Sequence, residues 1–198
     1  SFESTMEQDL NRIRETKTAD EFVTFLNRII TDSLTDDFWA ITLPNDLATS
    51  SPRSPSLFAY YAALNLLQGR VLFSKMFVSD LLDPTMKAKK SAVERHHLFP
   101  KAYLNKIGFT EIRDTNQIAN FALVEWNDNI AISDEAPDSY YPKYASRFSK
   151  NELNKMLYWH AMPADWEKME YQVFLEKRRK LIADVTREGF KELLSSKE

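Results

Sequence analysis

The stretches ERHHLFPKAYL (94–104) and NFALVEWNDNIAISDEAP (120–137) decide how this chain is read. The chain has three histidines, and two of them, His96 and His97, are adjacent. The segment Ala92 to Phe99 reads as a strand. Pro100 to Ile107 reads as a short helix, started by the proline and stopped at Gly108. Phe121 to Trp126 is a second strand. A short helix follows from Asn127, carrying Ile130 and Ile132, before Pro137 and a turn at Tyr140-Tyr141-Pro142. The order is therefore strand, insertion, strand, helix. Neighbouring residues of a strand point to opposite faces, so the two histidines can share a site only where the strand ends or bends, and Phe99-Pro100 supplies an ending.

Outward from this core, the chain has 198 residues, 43% of them hydrophobic, enough for one well-buried domain or a small domain with a helical companion. Cysteine is absent, which excludes a disulfide framework and a thiolate zinc knuckle and agrees with a cytoplasmic location. No apolar run approaches the roughly 20 residues of a membrane span, and SFESTMEQDL lacks the basic start and apolar stretch of a signal peptide. The opening on Ser1 is compatible with a piece of something longer. A formal charge of −3 argues against binding nucleic acid by bulk electrostatics, so any such contact is a local patch. Two clusters qualify: Lys87, Lys89, Lys90 and Arg95 before the histidines, and Lys177, Arg178, Arg179, Lys180 near the C-terminus. Solvated faces are the ordinary reading of such runs, above all for the second.

N-terminal to the histidines the chain reads as helical. A first helix spans about 3 to 16, with Leu10 and Ile13 apolar. Thr18 and Glu21 form a capping-box signature ahead of Phe22, Phe25, Leu26, Ile29 and Ile30 at helical spacing. Phe38 to Leu43, stopped by Pro44, suits a strand or loop. Ser54-Pro55 opens a helix that closes at Gly69 and buries Leu57, Tyr60, Tyr61, Leu64 and Leu67. From Asp165 the remainder reads as one long helix, with Met169, Val173, Leu181, Val185 and Leu193 apolar and Gly189 its weak point.

A His-His pair alone is more often structural than functional. Here Asn120 stands at the start of the second strand, and Asn129 lies at the head of the following helix. His-His, a later Asn, and a second Asn after a strand resemble the HNH nuclease motif. HHLFPKAYL followed by NQIANFALVEWNDNIAISDEAP is most similar to the C-terminal nuclease domain of GmrSD-type restriction and anti-phage proteins, and LYWHAMPADW and FLEKRRKLIADV share that look. The resemblance implies a metal-dependent endonuclease that nicks or cleaves DNA. It assigns His97 as general base, since a neutral imidazole with a pKa near about 6.5 can take a proton from water. It assigns His96 and Asn129 as ligands of one divalent metal, which stabilises the leaving 3′ oxygen, and Asn120 as the residue that hydrogen-bonds across the loop to fix the His97 backbone and ring. Asn116 competes with Asn120 for that place. Arg95, Lys101 and Lys90 are candidates for phosphate contacts, with solvent exposure the alternative. Asn127 and Asp128 read first as a helix N-cap, with Asp128 a second-choice aid to the metal. His160, in YWHAMP, reads as a satisfied structural histidine.

The sequence departs from the commoner HNH pattern in having His at the metal position, Asn at the third motif position and a long gap from His97 to Asn120. An imidazole ligand widens the metal choice from Mg²⁺ or Mn²⁺ to Ni²⁺ or Zn²⁺. The expected fold is α+β, a mostly helical domain containing a ββα-metal finger, with residues 1–82 a helical N-terminal region or linker and 83–198 the nuclease domain with its long C-terminal helix. The resemblance also implies a ParB-like N-terminal sensor domain outside this chain, and a homo-oligomer would help a single-site nuclease cut both strands. The competing readings are a non-catalytic nucleic-acid-binding module and a ribonuclease using the same residues.

Overall fold

The computed structural model describes residues 2–82 and 93–195. Lys87, Lys89 and Lys90 of the first basic cluster lie outside the described residues. The chain divides into two compact units, Ser1–Trp39 and Ala40–Glu198, whereas the sequence reading put a boundary between 82 and 83.

The first unit contains α1 (Phe2–Glu15) and α2 (Ala19–Ser33). Thr18 caps α2 by accepting from the Glu21 N–H at 3.1 Å, and Glu21 returns a carboxylate to the Lys17 N–H at 2.7 Å, so the expected box forms one residue out of register on its return bond. Its stripe Phe22, Leu26 and Ile30 stays exposed, and no residue of α2 is buried.

The second unit is α+β. Phe38–Thr42, expected as strand or loop, is a π-helical turn at the boundary between the units, continued by α3 (Leu43–Asp46). Pro44 sits in the first turn of α3, where a missing N–H costs nothing, so it extends the helical run instead of ending a strand. Next come α4 (Pro55–Leu66) and α5 (Val78–Leu82). Beyond the undescribed segment lie β1 (Val93–His97), α6 (Lys101–Lys106), α7 (Ile112–Thr115), a 3₁₀ turn (Ile118–Asn120), β2 (Phe121–Glu125) and α8 (Trp126–Ile132). The chain closes with α9 (Pro137–Ala145), α10 (Lys150–Trp159) and α11 (Tyr171–Ser195).

The two strands pair antiparallel, with His96 opposite Ala122 and His97 opposite Phe121. The other edge of β2 is covered by the 70–77 turn, whose Leu72 N–H donates to Leu123 O at 2.9 Å. Ala122, Leu123 and Val124 are buried accordingly.

Three further segments differ from their sequence reading. Tyr140-Tyr141-Pro142 lies inside α9, which Pro137 opens. Ser149 and Glu152 make a full capping box that starts α10, a helix the sequence reading left out. The C-terminal helix starts at Tyr171, because Asp165 takes a left-handed conformation (φ 51°) and Met169 is extended. That helix packs along α4 and α3, burying Phe174, Leu175, Ile182 and Val185 with Leu57, Tyr60 and Leu64. Gly189 is a point of closest approach: a Cβ there would lie 2.5 Å from the Ala63 Cβ, so the glycine's helix cost is offset by letting α4 and α11 touch. No helix among the described residues is long and apolar enough to cross a membrane.

Candidate functional site

β1 ends at His97, and the chain then turns through Leu98-Phe99-Pro100 into α6. That turn is held from two sides. Asn120, fully buried, accepts the Phe99 N–H on Oδ1 at 2.8 Å and donates from Nδ2 to Phe99 O at 3.0 Å and Thr115 O at 3.1 Å. Its own carbonyl accepts the Leu98 N–H at 2.8 Å. From α9, the Tyr140 hydroxyl donates to Leu98 O at 2.7 Å while its ring stands edge-on to His96 at 5.8 Å. A loop whose polar groups are all bound in this way holds one conformation.

With the strand ended and the turn fixed, His96 and His97 line one cleft of about 320 Å³ together with Lys101, Asn129, Ser133 and Asp134. The His96 Nδ1–H donates to Asn129 Oδ1 at 2.8 Å, an arrangement set by α8 returning across β1. The His97 Nε2–H donates to Asn116 Oδ1 at 3.0 Å, which leaves Nδ1 with the free lone pair. The middle role divides between the two asparagines: Asn120 fixes the backbone after His97 and does not touch its ring, and Asn116, the lesser candidate, orients the ring. The preference for Asn120 followed strand spacing, which fixes backbone register but not the reach of a side chain from the α7 end.

Burial governs both imidazoles. Desolvation pushes His96 down to about 4, against the opposing Asn129 hydrogen bond, with His97 lowering it further and Asp128 raising it. His97 is also lowered, first by burial and then by Lys101, while Asn116 works the other way. Both rings are neutral at pH 7.

Moving the His96 proton from Nδ1 to Nε2 would free the Nδ1 lone pair, and Nδ1 and Asn129 Oδ1 are no farther apart than adjacent ligands of one octahedral ion with bonds of about 2.1 Å. His96 Nε2 is buried with no hydrogen-bond partner among the described residues. This neutral N,O pair fits a divalent cation that takes its other ligands from water and phosphate. Among the described residues no group of three or more His, Asp or Glu side chains is placed to hold a metal. Asp128 neither caps α8, whose N-cap is Glu125, nor joins the pair; it bonds Arg147 at 3.0 Å.

On the other side of His97, a cleft of about 510 Å³ is lined by Arg95, Lys101, Asn116, Phe121, Ser50 and Pro52. Arg95 lies over the Phe121 ring at 5.8 Å and Lys101 fronts both clefts, so these two expected phosphate contacts sit beside His97. The C-terminal basic cluster is split: Lys177 and Lys180 are exposed, as a solvated face requires, and Arg178 is not. Arg178 is wholly buried, donating to Ala119 O and Phe121 O at 2.7 Å each and to His160 O at 3.1 Å, while Lys180 pairs with Glu176 at 3.0 Å. His160 is buried, with Nε2–H donating to Arg70 O at 2.8 Å. Tyr140 and Arg178, neither read as a site residue in the sequence, carry much of the support; a tyrosine inside a run read as a turn and an arginine inside a basic run gave no local sign of it.

Desolvation also lowers His160 to about 4. Unfolded histidines protonate near about 6.5. Between those values the unfolded chain binds more protons than the folded one, so stability present above about pH 6.5 is lost as pH falls towards 4, by roughly 3 kcal/mol for each of His96 and His160. Denaturant unfolding at pH 7.0 and 4.5 checks this, and equal stabilities would show that neither ring is held neutral. No protein-family model, curated protein or solved structure matches the chain.

Proposed function

We propose that this chain is a metal-dependent endonuclease of the HNH, ββα-metal type that cuts DNA phosphodiester bonds, in a restriction or anti-phage setting. The observation that carries the reading is the convergence of His96, His97, Asn129 and Lys101 on one cleft at the end of β1, with Asn120 pinning the turn. The β1–β2–α8 segment serves as the finger, with α6 and α7 as its insertion.

In this reading His97 Nδ1 takes the proton from the attacking water. Asn116 keeps the other proton on Nε2 and so fixes which nitrogen is basic. Arg95 and Lys101 bind phosphate oxygens of the backbone, positioning the strand without reading its sequence. His96 and Asn129 would hold the divalent ion, Mg²⁺ or Mn²⁺ with Ni²⁺ or Zn²⁺ as substitutes, which when bound would supply Lewis-acid stabilisation of the charge on the leaving oxygen. Asn120 and Tyr140 do no chemistry; they keep the base within reach of the water.

The test is the purified chain on supercoiled plasmid with each metal in turn. Nicking that appears with metal and stops with EDTA is the expected result. Plasmid that stays supercoiled with all four metals, at protein in excess over DNA, counts against the enzyme and leaves the binding module.

A further inference from the structure

A second cleft, of about 580 Å³, lies against the start of α8 and is lined by Phe73, Ser74, Lys75, Met76, Glu125, Asn127, Asp128, Arg147 and Phe148. It adjoins the histidine cleft through α8 itself: Asn127 and Asp128 face this cleft, Asn129 faces the other, and the charge of Asp128 acts on His96.

The walls of this cleft are prearranged. The Ser74 hydroxyl donates to Glu125 Oε1 and accepts the Met76 N–H at 3.0 Å, tying the 73–76 turn to the end of β2. Arg147 is fixed between Asp128 and the Tyr144 ring, 4.1 Å from the centroid, so of the two acidic side chains lining the cleft Asp128 is paired with a cation while Glu125 accepts from Ser74. Phe73 is held at φ 61°, a conformation that bulky residues avoid, with its N–H on Met156 Sδ at 2.9 Å. Strain of this kind is retained where the surrounding structure enforces it, and it gathers at ligand sites. The groups left for a ligand are the partly exposed Phe148 ring and the exposed Asn127 amide, neither bonded within the protein among the described residues, with Lys75 at the rim.

We propose that this cleft receives a nucleobase flanking the phosphate that is cut, with the base stacked on Phe148 and its edge hydrogen-bonded by Asn127. A flat aromatic face, an amide that can both donate and accept, and a cation at the mouth for the attached phosphate match that occupant. Bases stack on any aromatic face, whereas an amide distinguishes their edges, so Phe148 supplies affinity and Asn127 supplies preference. The inference rests on the nuclease reading for the position of the cut phosphate, but base binding can be measured without cleavage.

The experiment compares the full chain with Phe148→Ala and Asn127→Ala in two assays. One is fluorescence anisotropy of labelled oligodeoxynucleotides in EDTA; the other is cleavage kinetics on oligonucleotides that vary one base at a time around the cut. Phe148→Ala is expected to weaken binding and raise KM by about tenfold with kcat nearly unchanged. Asn127→Ala is expected to flatten the base preference at one position. Phe58→Ala, an exposed aromatic outside both clefts, is the control for a general loss of apolar surface. Wild-type cleavage with both variants unaltered overturns the base site and leaves the nuclease standing. Wild-type binding lost in Phe148→Ala, without cleavage by any form, supports the base site and removes the nuclease. Absence of both binding and cleavage overturns the two together.

Discussion

Replacing His97 with alanine is expected to slow metal-dependent plasmid nicking by roughly 10²- to 10⁴-fold, the usual contribution of a positioned general base. The ring is half-buried against Phe121 and, among the described residues, bonded only to Asn116, so its loss leaves the turn fixed by Asn120 and Tyr140, and the variant is expected to stay folded. The wild-type pH profile gives the sign. A base acts when neutral, so kcat/KM rises with pH through the His97 pKa and then levels. Burial and the nearby Lys101 lower that pKa, so the rise is expected below about pH 6.5, with nicking on its plateau at pH 7. Activity within threefold of wild type in the alanine variant would remove His97 from the chemistry.

What the sequence made legible follows a physical divide. Elements fixed by local rules were readable: the Thr18 cap, the Pro55 start of α4, the strand order around His97, and the insertion opened by Pro100. The gathering of His96, His97 and Asn129 was an implication of the family resemblance, and it is strand pairing and a short return helix that bring His96 and Asn129 together. What could not be read depends on long-range side-chain reach. Asn116 meets the His97 ring from the end of α7, Tyr140 reaches Leu98 from α9, and neither contact has a periodic signature. Pro142 inside α9 and the left-handed Asp165 before α11 were misread for a related reason. The surrounding packing overrides the local preference that a proline or a helix-like composition expresses.

The support of the site is as unevenly distributed as its chemistry. His97 depends on a turn, the turn on Asn120, and Asn120 on the 3₁₀ segment that carries it. Arg178 of α11 grips both carbonyls flanking that asparagine, at Ala119 and Phe121, and also holds His160 O at the end of α10. One buried guanidinium thus joins the C-terminal helix to the strand edge behind the histidines.

Arg178→Met, which keeps most of the volume and removes the fork, is therefore expected to cost at least about 3 kcal/mol in denaturant unfolding. Three buried carbonyls lose their charged donors, and a buried acceptor left unpaired costs about 1–3 kcal/mol. Arg178→Lys should recover little of this, because one ammonium cannot reach carbonyls on two sides in the planar geometry the guanidinium provides. Cleavage at a temperature where both variants remain folded should also fall, since the Asn120 backbone loses its anchors while His97 and Asn116 are untouched. A change below about 1 kcal/mol for Arg178→Met would mean that Ala119, Phe121 and His160 find other donors. In that case α11 would be packing against the site without holding it in place.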